Sequence, residues 1–108
     1  MMDTALMSVS VPEYDTSPEA IGTRLAKVRK TLGRSQSALA EVLGMSSQRY
    51  NNYELGRTQP PPPVLAQIWR LTGATSDYIL FGNESGLPFD LVMKLREIDA
   101  QEAGKRTA

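Results

Sequence analysis

Cysteine and histidine are both absent from this chain of 108 residues. Their absence excludes disulfide bonds, thiolate nucleophiles, histidine-based catalytic triads and the common zinc sites. The acidic residues are scattered along the sequence rather than paired at positions that would form a catalytic cleft. We therefore expect a protein that is not an enzyme, that holds no metal ion and that needs no cofactor.

Long hydrophobic runs are also absent, since no apolar stretch approaches the roughly 18 residues that cross a bilayer. The first 17 residues contain three acidic and no basic residues, whereas a secretory signal begins with a basic region. The composition, 41% hydrophobic and 22% charged, is typical of a globular domain with one core. We expect one cytoplasmic domain with tails and no contact with a membrane.

A net charge of zero hides an uneven distribution of charge along the chain. Residues 18–73 hold eight basic and three acidic residues, whereas residues 1–17 and 74–108 are both acidic overall. Such a basic segment favours an anionic partner bound on one face, because a polyanion responds to the local potential rather than to the total charge. A solvated helix surface would give the same counts, and charge alone leaves both interpretations open.

The apolar spacing predicts an all-α fold with five helices in residues 17–82. Ser17 is expected to cap the first helix, Ser35 the second and the Ser76-Asp77 pair the fifth. Glycines are expected to end the five helices, at Gly33, Gly44, Gly56, Gly73 and Gly82. The predicted core residues, at helical spacing, are Ile21, Leu25, Val28 and Leu32, then Leu39, Val42 and Leu43, then Tyr50 and Tyr53, then Val64, Leu65, Ile68, Trp69 and Leu71, and finally Tyr78, Ile79, Leu80 and Phe81.

Two tails flank these helices in the prediction. Residues 1–16 form an extended N-terminal tail, and residues 83–108 form a linker, an additional C-terminal helix and a polar tail. The C-terminal helix carries an apolar stripe made of Leu91, Val92, Leu95 and Ile98. A helix of this length needs a cover for its stripe. Either the body of the same chain or a second copy would supply that cover, and we expect the second copy.

Only Met45 and Ser46 separate Gly44 from the third helix. Two helices joined so tightly must cross at a steep angle, which is the geometry of a helix-turn-helix motif. Further features occur in a fixed order: Ile21-Gly22-x-Arg24-Leu25-x-x-Val28-Arg29, Ser35-Gln36-x-x-Leu39-Ala40, Glu54, Gly56, Pro60 and Ser76-Asp77-Tyr78-Ile79-Leu80-x-Gly82. In this series the chain resembles the phage-repressor-like helix-turn-helix family, the Cro and λ-repressor type of DNA-binding domain.

The resemblance implies that the helix at about residues 46–54 reads the major groove of double-stranded DNA. With Tyr50 and Tyr53 in the core, the opposite face of this helix is polar and comprises Ser46, Ser47, Gln48, Arg49, Asn51 and Asn52. The resemblance places the most direct base contacts at Ser47, Gln48 and Asn52. The alternative is that Ser46 only caps the helix and that the amides are solvated.

The resemblance also assigns residues around this helix. Gln36, at the start of the second helix, is expected to clamp a DNA phosphate, and Arg57 and Arg34 are expected to reach flanking phosphates unless they are merely solvated. Arg29 and Glu54 are expected to form a structural ion pair, the alternative being two independent surface charges. Tyr50 departs from the family pattern, which commonly has a smaller aliphatic residue at this core position; its ring could pack in the core while its hydroxyl extends to solvent or a phosphate.

These patterns favour a sequence-specific transcriptional regulator of the repressor type, which acts as a homodimer through residues 76–98 on a two-fold operator. The alternative is a DNA-binding antitoxin or a protein-interaction module whose tails bind a partner protein.

Overall fold

The computed structural model describes residues 14–107, and within this range it contains six α-helices and no β-strand. The helices are α1 (Pro18–Thr31), α2 (Gln36–Leu43), α3 (Ser47–Glu54), α4 (Pro62–Thr72), α5 (Ser76–Phe81) and α6 (Phe89–Thr107). This architecture confirms the all-α prediction, including the C-terminal helix. Most of the predicted N-terminal tail falls on residues 1–13, which lie outside the described residues.

Hydroxyl side chains define where four of the helices begin. Ser17, Ser35 and Ser46 each accept a hydrogen bond from a backbone N–H three residues ahead, with N–O distances of 3.1–3.2 Å. The prediction for α5 was wrong by one residue, because Thr75 rather than Ser76 is the cap. Asp77 then lies in the first turn, where the helix dipole favours a negative charge.

The core forms around α1, whose buried residues contact helices on several sides. Leu25 and Val28 of α1 are almost completely buried, and so are Tyr50 of α3, Ile68 of α4 and Ile79 of α5. The predicted core positions Val42, Trp69, Leu71 and Phe81 are wrong, because each is at least 43% exposed. These short helices bury only a narrow face, so an apolar residue beside that face remains in solvent.

α6 packs along α1 in the same chain. Leu91 and Leu95 are 3% and 1% exposed, and Lys27 of α1 forms an ion pair with Asp99 at 2.8 Å. The body of the chain therefore covers this stripe, and the expectation that a second copy covers it is wrong for Leu91 and Leu95. The physical reason is that α1 has a further side free for a packing partner after α3 and α5 are in place.

Gly22 is the point of closest approach between α1 and α3. A Cβ atom added to Gly22 would lie 2.1 Å from the backbone oxygen of Glu54, and that backbone is not able to move aside without shifting α3. Any larger residue would therefore push α3 away from α1.

We expect Gly22→Ala to lower the free energy of unfolding by about 3 kcal/mol or more, because the added methyl overlaps backbone atoms. Urea unfolding followed by circular dichroism measures this loss. Gly104→Ala in α6 is the matched control, because its added Cβ meets no atom within 4 Å and alanine favours a helix. An equal loss in both variants would contradict the close approach.

Candidate nucleic-acid interface

The turn between α2 and α3 is short because Gly44 adopts a left-handed conformation, with φ of 75°. The N–H groups of Gly44 and Met45 return to the carbonyl oxygens of Glu41 and Ala40, which closes the end of α2. Ser46 then caps α3 directly. Only three residues, Gly44 to Ser46, thus separate the two helices of the motif.

Two tyrosines fix which face of α3 points outward. Tyr50 is fully buried and Tyr53 is 3% exposed, and their rings meet edge to face with centroids 6.3 Å apart. Because both rings are in the core, the rotation of α3 about its axis is determined. The Tyr50 hydroxyl does not reach solvent, so that expectation is wrong: burial and the neighbouring carboxylate of Glu54 raise the pKa of Tyr50 well above its ordinary value.

The outward face of α3 carries the predicted base-reading side chains. Ser47, Gln48 and Arg49 are exposed, whereas Asn51 and Asn52 are half-buried. Two open clefts run along the two sides of this face, and Gln48 lines both of them. The first cleft is lined by Ser46, Gln48, Arg49, Asn52, Tyr53, Thr58, Gln59 and Pro61. The second is lined by Arg29, Ser35, Gln36, Ser37, Ser47, Gln48 and Asn51.

Sequence reasoning missed Thr58 and Gln59, which face the same cleft as Gln48 and Asn52. The backbone N–H of Arg57 donates to the carbonyl oxygen of Asn52 at 2.9 Å, and this bond folds the loop back beside α3. A signal was available, because Arg57 and these two polar residues form a short polar run directly after Gly56. Arg49 differs from its neighbours, since its Nε donates to the Tyr53 hydroxyl at 3.1 Å.

Arg29 and Glu54 form a two-pronged ion pair at the end of α3, behind its outward face. Nε and Nη2 of Arg29 lie 2.8 Å and 3.2 Å from the two carboxylate oxygens, and the Glu54 side chain is only 6% exposed. Burial by itself would raise the pKa of Glu54, but hydrogen bonds led by that from Arg29 outweigh burial, so the pKa lies below its ordinary value. The same hydrogen bond raises the pKa of Arg29.

Gln36 joins this pair instead of projecting freely toward a phosphate. Its side-chain Nε2 donates to Glu54 at 2.8 Å, so the side chain connects α2 to the end of α3. Its backbone N–H lies in the first turn of α2, where N–H groups have no partner within the helix. The backbone at this position therefore remains suited to a phosphate, whereas the side chain positions the two helices.

Four of the eight basic residues in residues 18–73 bind a different helix through their side chains. Arg24 donates to the carbonyl oxygens of Ile79 and Leu80 at the end of α5, and Lys27 and Lys30 pair with Asp99 and Glu102 of α6. The excess positive charge counted from the sequence is thus reduced at the surface. Arg29, paired with Glu54, is the fourth of these residues. The remaining four basic side chains are exposed: Arg34, Arg49, Arg57 and Arg70.

No helix within residues 14–107 has the length and apolar character needed to cross a membrane. In the same range, no group of three or more acidic side chains is arranged to hold a metal ion.

The all-α fold agrees with comparisons to known proteins. The helix-turn-helix domain family matches residues 20–78, more than half of the chain. The chain therefore belongs to the helix-turn-helix family and has its all-α DNA-binding fold.

Two curated proteins are similar to this chain over two thirds or more of its length. An HTH-type transcriptional regulator of Bacillus subtilis strain 168, the uncharacterized SPβ prophage-derived YonR, is 32% identical over 72 residues, which are 67% of each chain. A candidate multi-protein-binding factor 1 of Yarrowia lipolytica is 32% identical over 80 residues, which are 74% of this chain but 48% of that protein. No solved structure gives a significant match.

Removing either partner of the Arg29–Glu54 pair strands the other in a largely buried position. We expect Arg29→Ala and Glu54→Ala each to lower the free energy of unfolding by about 2–4 kcal/mol, slightly less than for a fully buried pair. The double variant should lose less than the sum of the two losses. Urea unfolding of the four proteins measures this coupling, and strictly additive losses would contradict it.

The pH dependence of unfolding provides a control for these four proteins. Because the pKa of Glu54 is lower in the folded state, its contribution is complete above the unfolded value of about 4.3 and is lost as pH falls through the folded value. The coupling between Arg29 and Glu54 should therefore be constant near neutral pH and disappear in acid. A coupling that persists unchanged in acid would not come from this ion pair.

Proposed function

We propose that this chain is a sequence-specific transcriptional regulator of the Cro and λ-repressor type, which acts in the cytoplasm and reads the major groove of double-stranded DNA with α3. One observation carries the proposal. The face of α3 opposite its two buried tyrosines holds serine, amide and guanidinium groups between two open clefts. Hydroxyl, amide and guanidinium groups are the side-chain groups that form hydrogen bonds with base edges in the major groove.

The chemistry of this face suits base recognition. Gln48 and Asn52 lie one helical turn apart and line the same cleft, so their amides are able to address neighbouring base pairs. Each amide pairs in bidentate fashion with adenine N6 and N7, and such a contact contributes about 1–3 kcal/mol of discrimination. Ser47 lines the cleft on the other side of the helix, beside Gln36.

Phosphate contacts would orient α3 in the groove. The exposed Arg57 follows α3, and the exposed Arg34 precedes α2. The first turn of α2 at Gln36 adds backbone N–H groups and the positive end of the helix dipole. These contacts hold the backbone and carry no sequence information.

We propose no catalytic activity and no cofactor for this chain. Glu54, the acidic residue at the end of α3, accepts hydrogen bonds from Arg29 and Gln36, so it is committed to a structural role. Its lowered pKa is the opposite of what a general acid at neutral pH requires.

We also propose a homodimer through residues 76–98, with a different set of residues from the buried stripe. Phe89 is 78% exposed and Met93 is 51% exposed, and they lie one turn apart on the outer face of α6. Phe81 of α5 is 43% exposed. An isologous contact between two such patches would relate the two α3 helices by a two-fold axis, as a two-fold operator requires.

A different protein, instead of a second copy of this chain, is the other candidate to bind these exposed apolar residues. The relative described as a candidate multi-protein-binding factor favours it, as does the exposed Trp69 beside the cleft between α4 and α5. In this alternative the chain is a DNA-binding antitoxin or an interaction module. Co-purification of one defined protein in equimolar amount from the native source would support it.

Selection of DNA fragments from a random pool tests the reading of α3. We expect an enriched two-fold motif.

Gln48→Ala and Asn52→Ala should each relax the preference at one position of each half-site, because each removes one amide from the base edges. Arg57→Ala should weaken binding to all sequences alike, because it removes a phosphate contact. The control is Arg70→Ala, an exposed arginine that lies on α4, whereas Arg57 closely follows α3. A pool without an enriched motif would contradict a specific reader.

Light scattering tests the dimer. We expect the wild-type chain to have the mass of two copies and the variant with Phe89→Glu and Met93→Glu to have the mass of one, because the introduced carboxylates repel across a two-fold axis. Trp69→Glu, outside residues 76–98, should remain dimeric. If only Trp69→Glu dissociates the dimer, the interface lies at α4 instead.

A further inference from the structure

The C-terminal half of α6 runs in the same direction as the end of α1. Lys27 pairs with Asp99, and one turn further along both helices Lys30 pairs with Glu102. Because the two pairs follow the same order in both helices, the end of α6 points toward the turn between α1 and α2. This is the turn that leads directly into the helix-turn-helix motif.

The end of α6 and this turn enclose a surface cleft of about 310 Å³. Its lining contains three basic side chains and one acidic side chain, together with Gly33, Ile98 and Gln101. The basic residues are Lys30, Arg34 and Lys105, and the acidic residue is Glu102. No ion pair among the described residues involves Arg34 or Lys105, so the cleft carries an excess of positive charge.

The cleft lies beside the DNA-reading face. Arg34 immediately precedes Ser35, which caps α2 and lines the cleft that also contains Ser47 and Gln48. A DNA duplex whose major groove receives α3 has its sugar-phosphate backbone on either side of that helix. The side next to the start of α2 leads toward Arg34 and, beyond it, toward Lys105.

Glu102 opposes this positive charge. Its carboxylate accepts a hydrogen bond from Lys30, and that bond holds the pKa of Glu102 below its ordinary value. The ammonium group of Lys30 is therefore already paired with a carboxylate of the protein. A phosphate entering the cleft has to replace this group before Lys30 is able to bind it.

We propose that the end of α6 forms an additional phosphate-binding site for the DNA backbone, in which Arg34 and Lys105 bind the phosphate and Glu102 weakens the binding by holding Lys30. The proposal rests on the DNA-binding function proposed above. It extends the DNA contact beyond the five helices of the reading domain and makes α6 part of the interface.

The salt dependence of binding tests this site, with a labelled random-sequence duplex as the probe and fluorescence anisotropy as the measurement. Lys105→Gln should lower the slope of log affinity against log salt by about 0.9, the value for one phosphate contact. Glu102→Gln should tighten binding and steepen the slope, because Lys30 is released. Lys94→Gln is the matched control. It removes the same charge from the same side of α6, 11 residues and about 16 Å closer to the start of the helix.

All three variants change exposed or half-buried side chains, and circular dichroism checks that each remains folded. The proposal is overturned if Lys105→Gln has the slope of Lys94→Gln, or if Glu102→Gln binds no more tightly than the wild-type chain. A wild-type chain that binds no duplex DNA at all would instead overturn the proposed DNA-binding function, so the two failures are distinguishable.

Discussion

The contact of Glu54 with Arg29 and Gln36 is the interaction on which the orientation of α3 depends. Three helices meet in it: Arg29 comes from α1, Gln36 from α2 and Glu54 from α3. The backbone at Glu54 also lies against Gly22, at the closest approach of α1 to α3. Side-chain hydrogen bonds and backbone contact thus fix the same end of α3. Because a two-pronged pair has a defined geometry, it sets the direction of the helix as well as its distance.

Many of the charged side chains join one helix to another, and they lie on a different face of the molecule from the outward face of α3. On one face Arg24 holds the end of α5, and the lysines of α1 pair with α6. On the other face, the outward polar residues Ser47, Gln48 and Asn51 of α3 and the exposed Arg34 and Arg57 have no side-chain partner on another helix among the described residues. An anionic duplex would therefore experience a local positive potential although the chain as a whole is neutral.

The sequence predicted the helices well because their signals are local. A capping hydroxyl and a glycine at the end act within a few residues, so the shift of the α5 cap from Ser76 to Thr75 was a small error. Burial was harder to predict. Val42 and Trp69 have the apolar character of core residues, but each lies beside the buried face of a short helix. Gln36 was assigned to phosphate, and nothing local in the sequence indicates its hydrogen bond to Glu54, which is 18 residues away.

The sequence by itself determined the class of this protein. The tight turn at Gly44, the spacing of the two tyrosines of α3 and the absence of cysteine and histidine follow from residue types and short spacings. Only the tertiary structure decided how the rest is used. It buried Leu91 and Leu95 against the chain's own α1, paired Lys30 with Glu102 and brought Lys105 to the turn before α2. These outcomes depend on which of several possible surfaces covers an amphipathic helix. The apolar stripe in the sequence indicates that the helix is covered on that side, but it does not identify the covering surface.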